Sequence, residues 1–78
     1  MEQKIKQDSE IRIGENIKKI RKTKRIGQKQ LVDMLQINGI AITRESLVKI
    51  ERGKQHIWGS QLRGIRDVLE TTYDELLK

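Results

Sequence analysis

Cysteine, proline and phenylalanine are all absent from this 78-residue chain, which holds one histidine, one tryptophan and one tyrosine. Each absence excludes something. Without cysteine there is neither a disulfide framework nor a thiolate metal site. With His56 as the sole histidine, nucleophile–base pairs and His/Cys metal sites are nearly excluded, so no catalytic residue, metal or cofactor is expected and the chain does not read as an enzyme. No apolar run exceeds three residues, which excludes a membrane-spanning helix. No apolar stretch resembling a signal peptide follows the charged start, so a cytoplasmic protein is expected. There is no proline to break a helix. The length suits one small domain, near the lower limit for a self-sufficient core.

Positive charge is what the sequence has in excess, and its placement matters more than its total of +6. Residues 1–54 hold fourteen Lys/Arg against seven Asp/Glu, whereas residues 55–78 hold three against four. A basic region of this kind suits a polyanion, because each phosphate it neutralises releases condensed counterions. A lysine-rich solvated face would give the same charge, so composition alone does not decide.

Apolar residues recur at helical spacing in five places. Ile13, Ile17 and Ile20 form one stripe; Leu31, Val32 and Leu35 a second; Leu47 and Ile50 a third. Leu62, Ile65 and Leu69 make a fourth, and Tyr73, Leu76 and Leu77 a fifth. The spacing predicts an all-α domain of five helices over residues 11–78, preceded by a flexible basic and polar arm over residues 1–10. Each helix is too short to be stable alone, so the stripes must pack on one another. Thr43 is a good N-cap for the third helix and Gly53 a good left-handed stop after it. Thr72, with Glu75 three residues on, reads as a capping box for the fifth. Asp74 and Glu75 then complement the helix dipole rather than forming a catalytic pair. Asn38-Gly39, between apolar residues, has the look of a tight hairpin, but the segment is too short to found a sheet and reads as a loop.

The third helix carries the chemistry. Arg44, Glu45, Ser46 and Lys49 fall off its apolar stripe, while Arg21 and Glu51 each end a stripe elsewhere. The ordered set Arg21, Gln28, Leu31-Val32, Leu35, Thr43, Leu47, Ile50-Glu51-x-Gly53, Leu62, Ile65, Leu69 and Asp74-Glu75-Leu76-Leu77 resembles the lambda-repressor/Cro-type helix-turn-helix domain, also called the Xre family. The likeness covers roughly residues 13–77. Three departures stand out. Val32 occupies a usual alanine position, Arg25 lies near a usual glycine, and Gly27 replaces a usual threonine or serine. A fourth is larger: Gln36 to Ile42 makes the turn between the two reading helices about five residues longer than the family's.

The resemblance implies roles position by position. Gln28 would contact a phosphate and brace the first residue of the recognition helix. Thr43, the cap of the recognition helix, would lie at the DNA with it, and Arg44, Glu45, Ser46 and Lys49 would face base edges in the major groove. Arginine can donate two bonds to guanine and glutamate can accept one from cytosine. Arg52, Lys54 and Gln55 would lie on phosphates, setting register without reading sequence. Arg21 and Glu51 would form a partly buried ion pair fixing the angle between first and third helices. Trp58, near the start of the fourth helix, would cover the core or pack on a sugar–phosphate backbone or a second subunit, and the basic arm of Lys4, Lys6 and Arg12 would either be disordered or reach DNA.

The function implied is sequence-specific double-stranded DNA binding by a bacterial or phage transcriptional regulator, a repressor by type, working at the nucleoid. Two copies on a palindrome are expected, because one such module binds too weakly to select a site in a genome. Their contact would involve Tyr73, Leu76 and Leu77. With no ligand-binding domain in view, control would come from protein concentration, proteolysis or a partner. The alternative is an antitoxin or adaptor whose main surface binds a protein partner. Ile37, Ile40 and Ile42 in the lengthened turn favour it, since exposed isoleucines need something to cover them.

Overall fold

The computed structural model describes residues 4–5 and 12–78. Five helices account for most of it: α1 (Ile13–Thr23), α2 (Gln28–Ile37), α3 (Arg44–Glu51), α4 (Gly59–Val68) and α5 (Tyr73–Leu76). Two short strands, β1 (Lys4–Ile5) and β2 (Ile57–Trp58), pair antiparallel with Lys4 opposite Trp58 and Ile5 opposite Ile57. Of the expected arm over residues 1–10, Lys4 and Ile5 therefore form a strand, and the remainder, Lys6 included, lies outside the described residues. No helix among the described residues is long and apolar enough to cross a membrane.

The apolar stripes meet in one core. Ile13, Ile17, Leu31, Leu35, Leu47, Ile50, Ile57, Ile65 and Leu76 are wholly buried, with Val32, Ile42, Leu62 and Leu69 nearly so. The third helix packs on the first and second, the second on the fourth, and the first on the fifth. Where α1 crosses α3 the backbones nearly touch: a Cβ added at Gly14 would collide with the Ile50 carbonyl oxygen. Only glycine allows that approach.

Four helices end in the same way. In each, the residue after the C-cap donates to the carbonyl three positions back, and the next residue donates to the carbonyl five positions back, satisfying the last free carbonyls. After α2 these bonds run from Gly39 to Gln36 and from Ile40 to Leu35; after α3, from Gly53 to Ile50 and from Lys54 to Lys49. After α1 they run from Arg25 to Lys22 and from Ile26 to Arg21; after α4, from Glu70 to Asp67 and from Thr71 to Arg66. The motif needs a left-handed residue, and glycine supplies it at Gly39 (φ 78°) and Gly53 (φ 71°), whereas Arg25 (φ 60°) and Glu70 (φ 52°) adopt it at a cost. A left-handed non-glycine costs about 1–2 kcal/mol, and glycine returns about 0.5–1 of that as lost chain entropy. Arg25→Gly is expected to raise stability by up to about 1 kcal/mol and Tm by a few degrees in a thermal melt; an unchanged or lower Tm contradicts this.

The Gly39 stop corrects the expected turn. Gln36 and Ile37 belong to α2, and the connection is confined to residues 38–43. This connection is pinned, not free. Ile42 is buried and Ile40 packs against Gly64 of α4. The Gln36 amide donates to the Ile42 carbonyl at 2.9 Å, and the buried Gln61 amide donates to the Ala41 carbonyl at 3.0 Å while its oxygen accepts from the Trp58 N–H at 2.9 Å. Of the three isoleucines Ile37, Ile40 and Ile42, Ile37 alone is exposed, at 84%.

At the C-terminal end, the Thr72 hydroxyl accepts from the Glu75 N–H at 3.1 Å, but the Glu75 carboxylate turns to Lys78 at 3.2 Å rather than completing the capping box. Leu76 is wholly buried, its carbonyl accepting from Asn16 of α1 at 2.9 Å. Tyr73 is half-buried beneath the Arg66 guanidinium, 4.4 Å from its ring centroid. Of the three residues expected at a dimer contact, Leu76 is buried in this fold, Tyr73 is half-buried and Leu77 is 38% exposed.

Candidate nucleic-acid interface

Eight residues form α3, and their two faces differ sharply in environment. Leu47, Ile50 and Glu51 point inward and are buried. Arg44, Glu45, Lys49 and, just past the helix, Arg52 and Lys54 are exposed; Ser46, Val48 and Gln55 are half-buried. The helix begins at Thr43, whose hydroxyl accepts the Ser46 N–H at 3.1 Å, so the first turn is closed before Arg44 and Glu45 project from it.

The inward face is locked at its last residue. Arg21 of α1 grips Glu51 with two parallel bonds, Nε to Oε2 at 2.8 Å and Nη2 to Oε1 at 2.9 Å. Its remaining Nη1 donates to the Ile26 carbonyl at 2.8 Å. Both side chains are buried, at 7% and 3% exposure. Planar two-point pairing of this kind fixes orientation as well as distance.

Gln28, at the first turn of α2, donates to the same Glu51 oxygen, Oε1, at 3.0 Å. The brace falls on the last residue of α3 and not on the first, because the buried carboxylate is the strong acceptor within reach. The N-cap of α2 is Gly27, which supplies no side chain to the helix start.

Outside, the exposed groups frame two shallow hollows. Arg44, Glu45, Val48, Lys49, Arg52 and Lys54 line the first. Arg12, Glu15 and Lys18 of α1 line the second, together with Glu51, Arg52, Gly53 and Lys54. Pairing inside this surface is weak: Lys49 lies 3.5 Å from Glu45 and Arg12 lies 3.6 Å from Glu15, all well exposed. Lys18 and Val48 were not singled out by the sequence. Val48 sits one turn from Arg44 and one turn before Arg52, a row that was readable from the i, i+4 spacing. Lys18 needed the packing of α1 on α3, which no local pattern shows.

Lys4 of β1 holds its ammonium 5.2 Å from the centroid of the half-buried Trp58 ring. Of the basic arm, Lys4 therefore lies beside the N-terminus of α4, whereas Arg12 lines the second hollow. His56 is exposed in the loop before β2. No family model, curated protein or solved structure matches this chain.

Proposed function

We propose that this protein binds double-stranded DNA sequence-specifically through the major groove, as a lambda-repressor/Cro-like transcriptional regulator of bacterial or phage type. It acts in the cytoplasm, at the nucleoid, without catalysis or a cofactor. One observation carries the reading: α3 buries Leu47, Ile50 and Glu51 while presenting Arg44, Glu45 and Lys49 outward, with Arg52 and Lys54 beyond its end. A helix about 10–12 Å across with its side chains matches a groove about 12 Å wide. Arg44, Glu45, Ser46 and Lys49 then read base edges. Arg52, Lys54 and Gln55 meet phosphates, with Arg12 and Lys18 alongside on the same hollow. Two copies on a palindrome supply the affinity that one lacks.

Titrating labelled duplexes, selected from a random pool, across a salt series tests this. With three or four phosphates engaged per subunit, log K is expected to fall against log salt with a slope of roughly −5 to −7 for a dimer. A flat response, or no binding to any duplex at low salt, overturns the reading.

The protein-partner alternative rests on a narrower base. Of the three turn isoleucines that favoured it, Ile42 is buried and Ile40 is packed on the core, leaving Ile37 at 84% exposure.

A further inference from the structure

Val48 is out of place on an ordinary surface helix. It lies on the outward side of α3, in the middle of the row from Arg44 to Arg52, half-exposed in a hollow whose wall is mostly aliphatic. A β-branched residue there favours the helix less than alanine, lysine or glutamine would. Nor does it serve the core, which α3 meets through Leu47 and Ile50. The rim around it holds Arg44, Lys49, Arg52 and Lys54 against Glu45. An apolar spot inside a cationic rim fits an anionic partner that offers an apolar group at its centre. The thymine methyl, at the floor of a groove walled by phosphates, is such a group.

We propose that Val48 is a specificity residue that recognises the 5-methyl group of a thymine; this rests on the DNA-binding reading above. Arg44 and Val48 lie four residues apart, about 6 Å along the axis at about 1.5 Å per residue, and base pairs rise about 3.4 Å. The recognised thymine therefore stands within about two base pairs of the base that Arg44 contacts.

The test uses the full chain and its selected site, with each thymine changed singly to deoxyuridine, which removes the methyl group and leaves pairing intact. Burying one methyl contributes about 0.8 kcal/mol, or about fourfold in affinity. The wild type is expected to lose about fourfold at one position per half-site and little elsewhere. Val48→Ala, which keeps a good helix former at an outward position, is expected to bind thymine and deoxyuridine equally there, with its circular dichroism unchanged. Two results overturn the inference while leaving DNA binding intact: a wild type indifferent to every deoxyuridine, which assigns the hollow to another occupant such as an acidic protein surface, or a Val48→Ala variant that keeps the wild-type sensitivity. Failure to bind any duplex overturns both this inference and the reading beneath it.

Discussion

Replacing Glu51 with alanine is expected to lower the stability of the fold by about 3–5 kcal/mol. The loss comes less from the missing attraction than from what remains. Arg21 is buried, and without Glu51 its Nε and Nη2 have no acceptor; Gln28 also loses its bond to Oε1. A buried guanidinium left without its carboxylate bears the full desolvation cost of its charge. Glu15→Ala is the contrast, since Glu15 makes an exposed pair with Arg12 at 3.6 Å; a pair of that kind contributes less than about 1 kcal/mol. Glu70→Ala, at another exposed position, is expected to cost as little. Thermal and denaturant melts of the three variants decide the matter, and equal losses would mean that the Arg21–Glu51 pair has no special weight. The double change Arg21→Met, Glu51→Leu is expected to recover part of the loss, because it strands no charge.

Arg44 and Lys54 are expected to fail in different ways when each becomes alanine. Arg44 is the first residue of α3, directly after the Thr43 cap, and is exposed. If its guanidinium reads a base, its loss costs about 1–3 kcal/mol on the preferred site and relaxes the choice at one position. Lys54 lies past the left-handed Gly53, where the chain has turned off the helix axis. Its N–H is already committed to the Lys49 carbonyl at 2.8 Å, leaving only its ammonium to reach a phosphate. If the protein binds DNA as proposed, Lys54→Ala is expected to weaken all sequences alike and to reduce the salt slope by about one unit per subunit. Titrations on the selected site and on a single-base variant, at several salt concentrations, separate the two. Arg44→Ala weakening both DNAs equally would show that α3 does not read bases.

Much of this fold was legible because its signals are local. The helical period marks Ile13, Ile17, Leu31, Leu35, Leu47, Ile50 and Ile65, and all of them are wholly buried. Thr43 and Thr72 announce helix starts through a hydroxyl and a backbone N–H three residues away. The extension of α2 to Ile37 was missed because Asn38-Gly39 is equally at home in a hairpin turn and in a helix stop. Arg25 and Glu70 give no sign of their left-handed backbone, since nothing in an arginine or a glutamate favours it. The pairing of Lys4–Ile5 with Ile57–Trp58 joins two pairs of residues too short to show a period. The bond from Gln28 to Glu51 spans 23 residues, and its direction depends on the packing of three helices. At the candidate interface the charged residues could be named from sequence, whereas Lys18 came within range only through the close crossing of α1 and α3 at Gly14.

That crossing and the pinned turn together make α3 a beam resting on two supports. One end bears on α1, through Gly14 and Arg21; the other is joined through the Ala41 carbonyl to Gln61 of α4 and through the Ile42 carbonyl to Gln36 of α2. Its direction is thus set before any partner arrives. A helix already ordered in the free protein adds no folding cost to association. The heat capacity change on binding should then reflect the surface that the interface itself removes from water, with no contribution from a segment that folds as it docks.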